Sequence, residues 1–525
     1  MKMKTTILTA LAAILLIGCG NDNNKTTTTA DSGAKLEGNL IVDKPTEFTV
    51  FSIHQGKAFE GDLPVFKKAG EMTNVKLKGI ASKNQTNQVQ AYNLMLSSGD
   101  LPDILAYELV EDLERLGTEG GLIPLEELID KHGPNIKKFW EENPRYKKDA
   151  VAANGHIYMI PNYNDYFNLK ASQGYYIRKD WLNKLGLKEP QTIDELYEVL
   201  VAFKTKDPNG NGKADEIPFF TRGDIPRKIL LSLLDVFQVS PVWTLDKNGQ
   251  VIYGPAQDQY KVAMQEISKW YKEGLIDPEV FTRGLSSRDY MLNNDLGGFT
   301  NDWFASTASY NKKLANIIPG FDFAPMLPVE YNGERKTLIS RPTYMGGWGI
   351  TVSAKNPVAI VKYFDFWYSP EGRNMWNFGI ENKEWEMKDG KPQFTDYVLK
   401  NPDGKNPLTV IKESGAQFRM GMFQDANYEL QWTEPAALDA LELYTKNNAI
   451  ADGLPILKYT KDEIKELNKI ETQMRNYTEE MGQKWIMGVS DVNTDWNAYT
   501  KRLSELGLAR AQEIQKQAYD RFMNN

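Results

Sequence analysis

Residues 207–216, with the sequence DPNGNGKADE, place oxygen-bearing side chains at alternate positions of a short loop. Asp207, Asn209 and Asn211 fall at positions 1, 3 and 5 of a loop of the EF-hand type. Gly212 falls at position 6, where such a loop needs a residue that permits a sharp turn. Carboxylate and amide oxygens at this spacing converge on one hard cation, so the stretch predicts a calcium site. An Asn-Gly turn cluster that binds no metal is the alternative interpretation.

The end of this loop differs from an EF-hand. Lys213 falls where a backbone carbonyl normally binds the metal, and Asp215 falls at position 9. Pro218 occupies position 12, where a bidentate glutamate belongs, and the nearest carboxylate is that of Glu216. Residues 217–220 are apolar and contain this proline, which favours an extended segment over the second helix of an EF-hand. The loop is therefore related to an EF-hand without being one.

Two other stretches combine glycine, tryptophan and polar side chains. Residues 297–304 contain Asp302 beside Trp303, and residues 345–350 surround Trp348 with glycines. Glycine permits a close backbone approach, the apolar face of a pyranose stacks on an aromatic ring, and polar side chains hydrogen-bond the sugar hydroxyls. These stretches therefore predict a carbohydrate site. Packing of each tryptophan in a core or an interface is the alternative.

The elements that must position these residues alternate between strand and helix. Residues 48–53, 75–80 and 103–107 are short apolar runs typical of strands, and helical stretches separate them. Such alternation predicts an α/β lobe with a largely parallel sheet, in which ligands bind at the carboxyl ends of the strands. Asp103 would lie at the start of the third strand, and Glu108 would lie just past its end.

Aromatic side chains are crowded between residues 163 and 176. The segment contains Tyr163, Tyr166, Phe167, Tyr175 and Tyr176. Aromatic rings offer a ligand a large contact area, and they also pack well at boundaries between domains. The segment is therefore a candidate for a ligand surface or for a hinge between two lobes.

Length and charge limit the classes of function. A chain of 525 residues exceeds what one hydrophobic core usually supports, so two lobes or domains are expected. With 62 basic and 70 acidic residues the net charge is -8, which offers no general attraction to nucleic acid. The same charge disfavours a polyanionic ligand, unless a local cluster of Arg or Lys in a cleft overrides the global sum.

The amino terminus has the composition of an export signal. Two lysines precede an apolar run over residues 7–17, which is too short to span a bilayer, and Cys19 follows it. This register is similar to a bacterial lipobox, so residues 1–18 are predicted to be a signal peptide and Cys19 a lipidated residue. Residues 19–45 are polar and predict a disordered tether. An unlipidated signal peptide with an incidental cysteine is the alternative.

Several segments of the chain, together with the lipobox and the tether, resemble the large extracellular solute-binding lipoproteins of bacterial ABC importers. The resemblance covers nearly the whole mature chain. It includes the LplA and LipO lipoproteins and the alginate- and glycosaminoglycan-disaccharide-binding proteins. The segments that carry it are SSGDLPDIL, YYIRKDWLNKLGL, DPNGNGKADEIPFF, KWYKEGLIDPE and GGWGITVSAKNP.

This resemblance implies two α/β lobes joined by crossing segments, with a ligand cleft between them that closes on binding. It assigns residues 46–165 and about 335–400 to an N-terminal lobe. It assigns residues 166–334 and about 401–525 to a C-terminal lobe that holds the calcium loop. It also implies delivery to ABC permease subunits by a monomer, which its lipid anchor holds at the extracellular face of the cytoplasmic membrane.

The resemblance also implies roles for individual residues. An adjacent acidic pair would replace the missing glutamate of the loop, and Trp303 is similar in context to a sugar-stacking tryptophan. The implied ligands of a structural calcium ion are Asp207, Asn209, Asn211, Lys213 through its carbonyl, Asp215 and Glu216. The predicted substrate-binding residues are Trp303, Trp348, Tyr166, Trp432, Asp103 and Asp302.

Capture of an oligosaccharide for ATP-driven import is the leading functional hypothesis. A peptide ligand, or a role as the sensor subunit of a membrane kinase, would keep the same fold. A surface glycan-degrading enzyme is the alternative from another class, and it would need two facing carboxylates, such as Asp103 and Asp302. The three histidines have no metal-ligand or triad spacing and no Ser lies in GxSxG, so we predict no catalytic residue.

Overall fold

The computed structural model describes residues 38–54, 57–84, 87–165, 168 and 170–524. The predicted signal peptide, the predicted lipidation site Cys19, most of the predicted tether and Tyr166 lie outside these residues. In the described part of the chain, no helix combines the length and the apolar character needed to cross a membrane. The described residues form two lobes, each with its own sheet and its own hydrophobic core.

The first passage of the chain alternates strand and helix, as predicted. Its strands are β1 Thr46–Phe51, β2 Ile53–His54, β3 Lys57–Ala58, β4 Val75–Gly79, β5 Ile104–Tyr107 and β6 Ile160–Asn164. Its helices are α1 Pro64–Thr73, α2 Gln88–Ser98, α3 Val110–Thr118, α4 Glu126–His132, α5 Pro134–Glu142 and α6 Pro144–Ala150. All four residues of β5 are buried, because helices cover both faces of this sheet.

The second passage builds the second lobe. Its strands are β7 Gln173–Arg178, β8 Ile217–Phe219, β9 Trp243–Leu245, β10 Val251–Tyr253, β11 Gly297–Trp303 and β12 Phe323–Met326. Its helices are α7 Lys179–Leu185, α8 Ile193–Thr205, α9 Pro226–Asp235, α10 Asp258–Lys272, α11 Ser287–Asn293 and α12 Phe304–Leu314. Side chains of β7 alternate between two cores, with Tyr175 and Ile177 on one face and Tyr176 on the other.

The third passage returns to the first lobe. Its strands are β13 Tyr344–Ile350, β14 Trp385–Lys388, β15 Lys391–Phe394 and β16 Phe423–Gln424. Its helices are α13 Pro357–Phe366, α14 Pro370–Phe378, α15 Asp396–Leu399, α16 Pro407–Glu413 and α17 Ala426–Leu430. Ile411, Met420 and Met422 are buried in the first core, and β16 pairs with β6. The lobe boundary predicted at about residue 401 is therefore wrong, because apolar residues beyond that polar surface segment complete the first core.

The fourth passage is helical and completes the second lobe. Its helices are α18 Pro435–Lys446, α19 Lys461–Ile486, α20 Val492–Leu506 and α21 Leu508–Asn524. A capping box starts α19, since Thr460 N donates to Glu463 Oε2 at 2.8 Å and Glu463 N donates to Thr460 Oγ1 at 3.3 Å. Trp485 and Tyr499 pack in the second core.

The two sheets have different strand directions. The first sheet has the order β16-β6-β13-β5-β1-β4, and its pairs are parallel except that β13 runs antiparallel to both neighbours. The second sheet has the order β12-β7-β11-β8. In it, β7 runs antiparallel to β12 and β11, whereas β8 runs parallel to β11. The predicted two-lobed α/β fold is confirmed.

Three buried aspartates give the fold a pH dependence. Burial raises the pKa of Asp149, Asp235 and Asp365 to about 6, above the ordinary value of 3.8. Each therefore holds its proton more tightly in the folded state than in the unfolded chain. The stability that these protons contribute is fully present below the ordinary pKa, and it is lost as the pH rises through 6.

We expect the free energy of unfolding to fall between about pH 5 and about pH 7, with a loss of about 3 °C in Tm. Urea titrations across this range measure the fall. Asp149→Asn keeps the size of the side chain and removes one titration, so its curve should be flatter than that of the wild type. The raised pKa values would be contradicted if the free energy of unfolding of the wild type rose over this pH interval. They would also be contradicted if its slope against pH were the same in Asp149→Asn.

Candidate ligand cleft and cation loop

Three segments carry the chain between the lobes. They are residues 165–172 between β6 and β7, residues 327–343 between β12 and β13, and residues 431–434 between α17 and α18. The first leaves the carboxyl end of β6, and the second enters β13 at the same edge because β13 runs antiparallel to β6. The lobes therefore meet at the carboxyl edge of the first sheet, which is where open α/β sheets bind ligands.

Trp303 ends β11 on the second lobe, at the carboxyl edge of that strand. Its surface is 46% exposed, so one large part of the indole is open to a ligand. The chain passes directly from Trp303 into α12, and the Trp303 N–H donates to Asp302 Oδ1 at 2.7 Å. This hydrogen bond fixes the backbone that presents the ring.

Two arginines form ion pairs with Asp302, the residue that precedes Trp303. Asp302 is 4% exposed, with its Oδ2 3.0 Å from Arg288 Nη1 and its Oδ1 3.4 Å from Arg222 Nη1. The Arg222 side chain remains 26% exposed. Two guanidinium groups pair with one carboxylate, so the local charge beside Trp303 is positive. Some of their N–H donors remain available to a ligand.

The first lobe contributes a polar group that the sequence analysis did not assign to the site. Glu108 Oε1 lies 2.6 Å from His54 Nδ1, and Gln88 Nε2 donates to Glu108 Oε2 at 3.0 Å. The hydrogen bond with His54 is the largest cause that lowers the pKa of Glu108. Arg419 Nη1 lies 3.9 Å from the same carboxylate. The position of Glu108 just after a predicted strand was the sequence feature that could have indicated its place at the site.

A bidentate ion pair lies where the crossing segments meet. Arg341 donates to both carboxylate oxygens of Glu429 at 2.8 Å, and Gln424 Nε2 donates to Glu429 at 3.0 Å. The Arg341 N–H donates to the carbonyl of Lys170 at 3.1 Å. Because Arg341 and Lys170 belong to different crossing segments, this backbone hydrogen bond joins two of them, and the ion pair ties the second segment to α17.

The predicted substrate-binding residues are not all found together. Trp303 and Asp302 are adjacent on the second lobe, as described above. Trp432 lies half-buried in the third crossing segment, and its ring meets that of Tyr428 edge-on with 5.8 Å between centroids. Tyr166 lies outside the described residues.

Trp348 and Asp103 do not face the cleft. Trp348 is fully buried within β13 and stacks on Phe364 with 3.5 Å between ring centroids, so the prediction of a sugar-stacking role is wrong for it. Asp103 precedes β5 at the amino edge of the sheet, where it accepts hydrogen bonds from Thr49 N at 2.8 Å and Thr49 Oγ1 at 2.7 Å. Asp103 and Asp302 therefore do not form a facing carboxylate pair.

The loop at residues 207–216 joins α8 to β8 and winds around one carboxylate. Asp207 Oδ1 accepts from Gly210 N at 2.9 Å and from Asn211 N at 3.1 Å, and Asp207 Oδ2 accepts from Gly212 N at 3.0 Å. Gly210 and Gly212 have φ angles of 74° and 78°, a region in which glycine carries no steric cost. The turn that the sequence predicts is therefore formed.

Glu216 gives the strongest indication of a cation. It is fully buried, and neither of its carboxylate oxygens has a hydrogen-bond partner among the described residues. Burial is the largest cause that raises the pKa of Glu216; the nearby backbone N–H groups of Glu216 and Asn209 lower it in part, and the charges of Asp207 and Asp215 raise it further. A buried carboxylate without a partner is costly, and a cation bound beside it would offset that cost.

The remaining donors of the loop are also oxygens. Asn211 and Asn209 lie beside Asp215, to which their Nδ2 atoms donate at 3.1 and 3.4 Å. Among the residues that the structure describes, no three His, Cys, Asp or Glu side chains are grouped to hold a metal by themselves. The asparagine amides and the Lys213 carbonyl would have to complete the ligand set. Such an all-oxygen set fits Ca²⁺ better than a transition metal.

Comparison with known families identifies the chain. Residues 52–374, more than half of the sequence, match the model of the family described as bacterial extracellular solute-binding protein. The chain belongs to this family. The predicted relationship to the solute-binding proteins of ABC importers is thereby confirmed.

Three relatives of this solute-binding protein are informative. It is 28% identical to the fructooligosaccharide ABC transporter substrate-binding protein FusA of Streptococcus pneumoniae over 100% of both chains. It is 24% identical to the lipoprotein LipO of Bacillus subtilis over 64% of this chain and 66% of LipO. The structure of the alginate-binding protein AlgQ2 without calcium ion matches this structure with a TM-score of 0.75, and the two sequences are 38% identical. The match covers 92% of this chain and 100% of AlgQ2.

Proposed function

We propose that this solute-binding protein captures an oligosaccharide between its lobes and delivers it to an ABC import permease. The observation that carries the proposal is the half-exposed Trp303 at the carboxyl end of β11, beside the donors of Arg222. A pyranose or furanose ring would stack on the indole, and its hydroxyls would bind the adjacent polar groups. The fructooligosaccharide-binding FusA and the alginate-binding AlgQ2 support a carbohydrate ligand.

The mechanism is closure of the two lobes on the ligand. The crossing segments would act as the hinge, and the ion pair between Arg341 and Glu429 would tie the second of them to α17. Closure would bring the Glu108 group of the first lobe towards Trp303 and exclude water from the sugar. A permease would then recognise the closed form, because both lobes contribute to its surface.

A binding role without catalysis is proposed. Asp302 forms ion pairs with Arg288 and Arg222. Asp103 accepts hydrogen bonds from Thr49 at the amino edge of the first sheet. A glycosidase would need two carboxylates that face each other across the substrate. The relatives named above are binding proteins, which supports the same conclusion.

The loop at residues 207–216 is proposed to bind one structural Ca²⁺. Its proposed ligands are Asp207, Asn209, Asn211, the Lys213 carbonyl, Asp215 and Glu216. When bound, the ion would neutralise the buried carboxylate and fix α8 to β8 within the second lobe. The loop leads into Ile217, which pairs with Gly297 at the start of β11, whereas Trp303 lies at the other end of that strand. The ion would therefore stabilise the fold without touching the sugar.

The protein is proposed to act as a monomer, anchored through lipidated Cys19 at the extracellular face of the cytoplasmic membrane. The lipobox-like register and the relationship to the lipoprotein LipO support this location. The polar residues that follow Cys19 would let the folded part reorient towards the permease.

A thermal-shift screen of the soluble protein tests the proposed ligand class. We expect an oligosaccharide from a panel of neutral and acidic glycans to raise Tm by about 2 °C or more at saturating concentration. Isothermal titration would then confirm 1:1 binding. A panel in which peptides shift the curve and glycans do not would overturn the proposal.

A further inference from the structure

Arg419 lies in the cleft with most of its hydrogen-bonding capacity unused. Its side chain is 27% exposed, and its one ion-pair contact with a described residue is the 3.9 Å approach to Glu108. None of its N–H groups donates a hydrogen bond to a residue that the structure describes. A guanidinium carries five N–H donors in a planar fork, so a ligand in the cleft meets a preformed and unfilled donor group.

Other positively charged side chains lie near Arg419. Burial lowers the pKa of Arg419, and the charge of Arg341 lowers it further, whereas Glu108 raises it. Burial also lowers the pKa of Lys412, and the charges of Arg419 and Lys57 lower it further. Lys57, Lys412 and Arg419 of the first lobe and Arg341 of the adjoining crossing segment are therefore close enough to one another to form a cationic cluster.

The nearby carboxylates do not provide Arg419 with a hydrogen-bond acceptor. Glu108 already accepts from Gln88 and pairs with His54, and its distance from Arg419 is too long for a hydrogen bond. Glu429 is bound by both terminal nitrogens of Arg341. In the free protein water can fill the donors of Arg419, whereas a bound anion would satisfy both its donors and its charge.

We propose that Arg419 binds a carboxylate of the cargo, so that the oligosaccharide is acidic and carries at least one uronic acid. This inference rests on the proposed carbohydrate-binding function and narrows its substrate class. A uronate presents two coplanar oxygens that match the guanidinium fork, whereas a neutral sugar offers hydroxyls that leave the positive charge uncompensated. The global charge of -8 does not prevent this, because the field inside the cleft is set by the local cationic cluster.

The test compares two trisaccharides of similar size, trigalacturonate and the neutral kestose. Isothermal titration of the full mature chain is expected to give tighter binding of trigalacturonate, with an affinity that falls as salt is raised. Arg419→Gln should weaken trigalacturonate binding by roughly tenfold or more and change kestose binding by less than about threefold. Arg115→Gln is the matched control, since it removes an exposed first-lobe arginine that pairs with Asp112.

Several outcomes would overturn the inference. Wild-type protein that binds kestose but not trigalacturonate would disprove an acidic cargo and leave the carbohydrate-binding proposal intact. An equal loss for both sugars in Arg419→Gln would make Arg419 a general hydroxyl-binding residue. Absence of binding to any oligosaccharide would instead disprove the proposed function itself. If the variant does not fold, the salt dependence of wild-type trigalacturonate binding decides, because binding that is independent of salt contradicts a guanidinium–carboxylate contact.

Discussion

Replacing Trp303 with alanine should weaken oligosaccharide binding by roughly thirtyfold while leaving the fold intact. Stacking a sugar on the open indole would remove roughly 80 Å² of apolar surface from water, and at about 25 cal/mol per Å² this is worth about 2 kcal/mol. The side chain is 46% exposed, so its loss leaves only a shallow void in the free protein. Isothermal titration gives the affinity, and Tm without ligand checks the fold.

The matched control for this prediction is Tyr397→Ala. Tyr397 is 40% exposed on the first lobe and lies on α15, away from the carboxyl edge of either sheet. Removing its ring should not change the affinity for sugar. Equal effects of the two substitutions, or a Trp303→Ala protein that binds sugar as tightly as the wild type, would contradict a sugar-stacking role for Trp303.

Glu216→Gln should raise Tm in the absence of calcium and remove most of the stabilisation that calcium gives. Without the ion, the buried and unpartnered carboxylate costs the folded state several kcal/mol, so a neutral amide of the same shape should raise Tm. With calcium at about 100 times its dissociation constant, the wild type should gain about 2.7 kcal/mol, and the variant should lose most of this gain. Thermal melts in EDTA and in calcium measure both effects.

Glu505→Gln is the control for this substitution. Glu505 is an exposed carboxylate of the second lobe that pairs with Arg502 at 3.2 Å, and its replacement should leave the response to calcium unchanged. Elemental analysis of the wild type should find one calcium per chain. A wild-type melting curve that EDTA does not move, in a protein without bound metal, would exclude the site.

The loop at residues 207–216 shows how much a local sequence can specify. Its ligand spacing, its glycine positions and the extended segment after it all lie within about a dozen residues, so the polypeptide itself brings these groups together. The turn around Asp207 was predicted for that reason. The burial of Glu216 was not, because it depends on packing against the rest of the second lobe.

The two tryptophan stretches show where local sequence fails. Trp303 and Trp348 stand in similar glycine-rich and polar surroundings, yet one is half-exposed and the other fully buried. Trp303 ends its strand at the edge of a sheet, whereas Trp348 lies within β13, between β5 and β6 in the six-stranded sheet. A strand's place in its sheet is set by pairing with distant segments, and composition near the tryptophan does not encode it.

The sequence by itself determined the class of this protein: its two-lobed α/β fold and its relationship to the solute-binding proteins. These properties depend on local spacing, on apolar periodicity and on total length. Only the tertiary structure decided which residues come together at the candidate cleft, because His54, Glu108, Arg341 and Arg419 lie at distant positions of the chain. Their positions depend on the strand order and on the crossing segments, which form through contacts between residues far apart in sequence.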